Sequence, residues 1–422
     1  MTPEQILNAF ARTTVSMEEN DLNINIQAEH EGEQVDEDQV PLDTSDAPET
    51  AELDVAEAID ETEEEIDGAD DAVDVVESLE SLLISLEAIQ EQGAEFTPAA
   101  ALLAQVAIDN AVSRMPGLSA EAIGIPSMED FDCAPATSLT VSIEKIGDTI
   151  GAGLKAAGAF VKKIWEKIKA FLGRMFDAGK AGAHKAASIE KQLNDLPAGA
   201  SVESGATVTV PAIVGTVLTT KPVSDARSVL SQVAKNAVNT SDVATFASVV
   251  SGDKSIDNTT RRKQMVDAFN NGLEKLNGKV YPFGGLKFAT TEGGVISVTS
   301  NGGGEAKAVN VPTIQQLKDI AKENHALFNE IVDIRKQEGR HKKLNETVAK
   351  ISETTVAVKN RNNNSEEGEG AKRTASMTTA ATSLYNQRVS FELNLIGKLL
   401  SAGNALNNVL ASAAAQYKKA AK

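Results

Sequence analysis

The sequence predicts a mainly α-helical protein with a small α+β domain: a disordered acidic N-terminal segment, an amphipathic helix, a β-hairpin-containing middle and a long C-terminal helical hairpin. Three observations lead there. Apolar residues recur at spacings of three and four along much of the 422-residue chain. Aromatic residues make up only 4 %, with small residues abundant, a composition suited to long helices in close contact. Charge is divided: residues 1–144 carry 36 acids against Arg12 and Arg114 and no Lys, a net of −34, whereas residues 145–422 carry a net of +13. The length exceeds that of one ordinary domain, so two or three folded units with connecting segments are expected.

Taken in order, Ile6, Leu7 and Phe10 place a short amphipathic helix within residues 2–17. From Met17 to about Asp70 the chain is so rich in Glu, Asp, Gln and Thr that it is expected to bury too little apolar surface to offset its ordering entropy. Residues 1–72 are therefore read as an acidic, mostly disordered, propeptide-like segment. Val76, Leu79, Leu82, Leu83, Leu86 and Ile89 then keep helical phase, as do Leu102, Leu103, Val106 and Val112 after Pro98, so 73–114 is expected to be a helix pair. Pro116, Gly117, Gly124, Pro126 and Pro135 mark 115–144 as a linker.

Residues 145–187 read as a cationic amphipathic helix. Ile150, Leu154, Phe160, Ile164, Ile168, Phe171 and Leu172 form its apolar stripe, with Trp165 at the edge and Lys155, Lys162, Lys163, Lys167, Lys169 and Arg174 largely off it. Such a face fits either a membrane surface or the protein's own helices, and the Ala156–Ala159 run of small residues favours close helix packing. A second linker is expected at 188–206. A small α+β domain follows at 207–312, with a strand broken at Pro211, short helices at 223–237, 240–250 and 259–276, and a hairpin over 279–300 turning at Glu292, Gly293 and Gly294. Residues 313–422 are expected to form a helical hairpin interrupted at 361–371.

Catalytic patterns are missing from this sequence. His30, His184, His325 and His341 are isolated by spacing, Cys133 is the sole cysteine, and there is no phosphate loop, dinucleotide fingerprint or nucleophile elbow. A non-enzymatic protein without cofactor or metal is expected. No basic-then-apolar leader opens the chain, and no window reaches about 18 consecutive apolar residues.

One tripeptide is over-represented. Eight of the twelve serines before residue 204 are followed two places later by Glu: at Glu18, Glu80, Glu87, Glu121, Glu129, Glu144, Glu190 and Glu203. Of the seventeen later serines only Ser365 and Ser390 repeat it. Several of these tripeptides flank or lie in expected linkers, where proteases cut. In these tripeptides and in its organisation, the chain resembles the internal head proteins of phiKZ-like giant tailed bacteriophages, whose prohead protease cuts after Ser-X-Glu-like sequences. The resemblance implies a virion-interior protein made in the host cytoplasm, cut in trans after Glu144, Glu190 and Glu203, with Glu121 and Glu129 as secondary positions. It further implies other internal head proteins or the capsid as partners, shared space with packaged DNA, and ejection into the host.

Charge supplies a reason for such a division: the negative part masks the attraction of the positive part for polyanions, and cutting removes the mask. Arg261, Arg262, Lys263, Arg340, Lys342 and Lys343 are the expected contacts to DNA phosphates, without a base-reading module. Two alternative readings stay open: an uncleaved capsid-assembly scaffold whose acidic part binds partners, and a membrane-active effector using the 145–187 helix.

Overall fold

The acidic stretch after residue 46 contains an apolar thread. Val55, Ala58, Ile59, Thr62, Ile66, Ala69, Ala72 and Val73 recur at three and four, and all but the half-buried Ile59 are buried in the computed structural model. They lie on α1 (Ala47–Glu91), which opens on Pro48 and Glu49, residues suited to a helix N-terminus. Residues 47–72 are thus helix, not the disorder expected from composition: the apolar minority is small but perfectly phased, and a neighbouring surface supplies the burial that local sequence cannot. The structure describes residues 47–92, 97–114, 135–197, 200–236, 238–247, 258–291, 293–300, 304–359 and 365–420. The expected helix at 2–17 lies outside them.

Helix α2 (Pro98–Ser113) follows, then the 60-residue α3 (Pro135–Asn194). Two expected linkers are shortened by α3: residues 135–144 and 188–194 are helical, Pro135 standing at the helix start and Ile189 and Leu193 continuing the buried phase beyond the C-terminal end of the basic stripe. The rest of the first linker lies outside the described residues. Two units are distinguished by their internal contacts, one comprising 1–47 and 77–149, the other 48–76 and 150–422. In the first, Leu79, Leu82, Leu83, Leu86, Ile108 and Ile146 are buried.

The second unit holds the remaining elements. Strand β1 (Thr207–Val210) stops at Pro211, which has no N–H to continue a ladder, and helices α4 (Thr220–Lys235), α5 (Thr240–Ala247) and α6 (Asn258–Phe269) follow. The expected hairpin is a three-stranded antiparallel meander of β2 (Val280–Tyr281), β3 (Leu286–Thr290) and β4 (Ile296–Ser300), with Thr290 opposite Ile296. Gly294 turns the β3–β4 connection at φ 87°, a conformation that favours glycine. Asn270 ties α6 to that turn, donating from Nδ2 to the Gly294 carbonyl and accepting from the Ile296 N–H.

Strand β5 (Lys307–Asn310) pairs antiparallel with β1, about a hundred residues earlier, and was not anticipated. A Thr313–Gln316 capping box starts α7 (Ile314–Ile334), and a 3₁₀ turn at Arg335–Gln337 leads into α8 (Glu338–Lys359). The last helix, α9 (Ser365–Ala420), begins within the interruption expected at 361–371. It touches α4, α5, α6, α7, α8, β1 and β4 and so forms the spine of the unit. Glycine lets the helices meet closely: a Cβ on Gly182 of α3 would stand 2.2 Å from the Phe328 ring of α7, and one on Gly403 of α9 would stand 2.8 Å from the same ring. Asn324 and Asn407 bridge this crossing, Asn324 Nδ2 donating to Asn407 Oδ1 at 2.8 Å and Asn407 Nδ2 to the Gly182 carbonyl at 3.1 Å.

Candidate functional site

Within the second unit, residues 48–76 of α1 lie in a groove walled by α3 on one side and α9 on the other. The floor is apolar. Val55, Ala58, Ile66 and Ala69 belong to one buried cluster with Val161, Ile164, Ile168, Phe171 and Leu172 of α3 and Leu393 and Ile396 of α9. Two glycines set the fit: Gly68 accommodates the Phe160 ring, which would meet its Cβ at 2.8 Å, and Gly397 accommodates Ile59, whose Cδ1 would meet its Cβ at 2.6 Å. Burying a Val or Ile side chain contributes about 1.5–3 kcal/mol, so this floor supplies most of the seat's stability.

Along the α3 wall the two helices match charge for charge in antiparallel register. Lys163 Nζ stands 3.6 Å from Glu65, Lys167 Nζ 3.2 Å from Glu61, and Arg174 lies 3.4 Å from Glu57 and 3.8 Å from Glu61. Arg174 also donates to the Asp54 carbonyl at 3.1 Å. Carboxylates four residues apart recur every 6 Å or so along a helix, and the cations at 163 and 167 repeat at the same interval. Each pair is partly solvated and contributes little, about 0.2–1 kcal/mol, and the Lys163 side chain stays 61 % exposed, so the row offsets these cations locally while the apolar floor and its glycine notches set the register. Along the α9 wall, Asn394 donates to Glu63 and Asn386 to Asp70, both at 2.8 Å. Burial pushes the Asp70 carboxyl up to about 6, and Asp74, Asp67 and Asp71 push the same way against the Asn386 hydrogen bond.

The expected site residues are distributed differently. Ile150, Leu154, Ile164, Ile168, Phe171 and Leu172 are buried, and Phe160 and Trp165 are half-buried against the cluster, so of the two uses expected for this stripe, a membrane surface or the protein's own helices, the structure has it packed within the protein. No described helix is long and apolar enough to cross a membrane. Arg261, Arg262 and Lys263 lie on α6, with Arg262 and Lys263 exposed. Arg340, Lys342 and Lys343 lie on α8 and are exposed; Arg340 donates to the Ala234 carbonyl at 2.8 Å, and Arg340 and Lys343 line a cavity of about 190 Å³. The two basic clusters therefore occupy separate helices, both touching α5.

That cavity also borders a buried ion pair. Arg388, 2 % exposed, donates from Nε to Glu392 at 2.6 Å, and His341 Nε2 lies 3.5 Å from the same carboxylate. Burial pushes Glu392 up, but Arg388 and His341 together outweigh it and hold the carboxyl below its usual range. Arg388 additionally reaches the Phe269 and Asn236 carbonyls, which makes it a tie between α9 and the α+β elements.

Of the candidate cleavage positions, Glu203 is exposed in an irregular segment just before the turn at Ser204 and Gly205. Glu190 lies inside α3, 4.0 Å from His325, and Glu144 also lies within α3; Glu121 and Glu129 are outside the described residues. The cationic row Lys163, Lys167 and Arg174 was missed as a site because those residues read as an ordinary solvated face. The signal available in the sequence was the matching four-residue interval of Glu57, Glu61 and Glu65. Among the described residues no group of three or more His, Cys, Asp or Glu is arranged to hold a metal ion.

A family model describing phiKZ-like phage internal head proteins matches residues 54–275, more than half of the chain, from within the seated acidic helix through α3 to the end of α6 and just beyond. The chain belongs to this family. No curated protein and no solved structure matches it. As an internal head protein it is a structural component located inside the phage head, and its family segment contains both the acidic helix and the cationic helix beneath it.

Proposed function

We propose that this internal head protein is assembled with its acidic part in place and is then processed in trans by a head protease after Ser-X-Glu tripeptides, leaving a basic part that lies against packaged DNA or the capsid interior. The observation that carries the reading is the seat itself: Glu57, Glu61 and Glu65 occupy the cations Lys163, Lys167 and Arg174 that would otherwise attract phosphates. The exposed, irregular placement of Glu203 supports processing there ahead of the helical Glu144 and Glu190, because a protease needs an extended strand of substrate. No enzymatic role is proposed.

N-terminal peptide mapping of the protein from proheads and from mature heads tests this. A new terminus at Ser204 is expected first, with termini at Lys145 or Lys191 later; only a piece beginning at Lys145 carries Lys163, Lys167 and Arg174 on a chain separate from the acidic helix. Full-length protein alone in mature heads would refute processing and favour the alternative of an uncleaved assembly scaffold, a reading that the deep seating of α1 also suits.

A further inference from the structure

The seated segment has a property that the processing scheme does not explain. Between Pro48 and Val76 there is no serine, so no Ser-X-Glu tripeptide falls within it; the nearest end at Glu18 before it and Glu80 after it. A protease of that specificity would therefore leave the seated segment uncut, its sites after Glu80 and Glu87 falling in the later part of α1. Its contacts with the groove are all non-covalent: an apolar floor, two glycine notches, two Asn clamps and a row of ion pairs. The cut ends lie outside all of these contacts.

We propose that the groove between α3 and α9 is a receptor for the acidic helix as a separate chain, so that residues 48–76 stay seated after scission and the cationic row stays masked. This deepens the processing reading and rests on it. The occupant is defined by chemistry: a helix with Val, Ile or Ala at spacings of three and four, Gly opposite Phe160, and carboxylates every fourth residue facing Lys163, Lys167 and Arg174. Scission and unmasking become two events, the second requiring something that displaces the helix.

The test uses the full chain with a site-specific protease sequence placed between residues 119 and 129, cut in vitro at about 0.15 M salt. Hydrogen exchange of peptides within 48–76 is measured before and after cutting. Protection that changes less than about threefold is expected, since seating and not covalent attachment slows the amides. K163E/K167E/R174E should speed exchange of this segment about tenfold in the cut protein, and adding E57K/E61K/E65K should restore it. Exchange at the unstructured rate after cutting the parent protein would overturn the proposal. So would protection that ignores the charge reversals, because the row would then mask nothing. Since the cut is imposed, failure here is distinct from a failure to find processed termini in heads.

Discussion

Asp70 offers a direct measurement of how the acidic helix is held. Its carboxyl accepts a hydrogen bond from Asn386 at 2.8 Å but is buried beside Asp67, Asp71 and Asp74, and burial lifts it from 3.8 to about 6. Each unit between folded and unfolded values corresponds to about 1.4 kcal/mol, so the charged carboxylate costs roughly 2–3 kcal/mol of stability. The folded value is the higher one, so this cost is fully present above about pH 6 and fades as the pH falls towards the unfolded value. Asp70→Asn removes the charge and keeps an oxygen to accept from Asn386. It is expected to raise the unfolding midpoint at pH 7.5 by about 5 °C or more, using about 2–4 °C per kcal/mol for a unit of this size, and to change little near pH 4. Thermal unfolding followed by circular dichroism from pH 7.5 to 4 measures both. A D70N protein no more stable than the parent at pH 7.5, or a parent that loses stability steadily from pH 7.5 to 5.5, would refute the argument.

Three further outcomes follow from the contacts. Gly182→Ala gains about 1 kcal/mol of helix propensity but places a methyl group 2.2 Å from Phe328, so a net loss of about 1–3 kcal/mol in chemical denaturation is expected, relieved by a second change, Phe328→Leu. Glu392→Gln strands the buried Arg388 and should cost about 3–5 kcal/mol; because the Glu392 carboxyl is held below its usual range, its contribution is present above the unfolded value and lost as pH falls through the folded one, opposite in sign to Asp70, so the variant should also show a flatter acid limb in denaturation against pH. For DNA, R262E/K263E should reduce the slope of log affinity against log salt by about 2 if both residues meet phosphates, measured on protein lacking the acidic mask, and an unchanged slope would remove α6 from the interface.

Much of the helical architecture was legible in the sequence because periodic burial is a local signal. The stripe Ile150, Leu154, Ile164, Ile168 and Phe171 is buried as its spacing implies, and the β3–β4 hairpin turns at Gly293 and Gly294. Composition misled where it competed with phase. Residues 47–72 carry so many carboxylates that their few apolar residues looked insufficient, yet Val55, Ala58, Ile66 and Ala69 all point the same way and find a groove. Likewise, Ser188 and Glu190 read as linker, but Ile189 and Leu193 on the opposite face keep α3 going to Asn194.

By itself the sequence determined the division of charge, the mainly helical fold with a small β component, and the likeness to phage internal head proteins that the family match then bore out. Each depends on composition or on residues a few positions apart. Only the tertiary structure decided what the charge division does: it laid Glu65 against Lys163, Glu61 against Lys167 and Glu57 against Arg174, and fitted Gly68 under Phe160. These partners lie roughly a hundred residues apart, and many Lys and Glu residues could have paired at that distance. The register was chosen by the shape of the apolar floor and its glycine notches, which no pattern within either helix specifies.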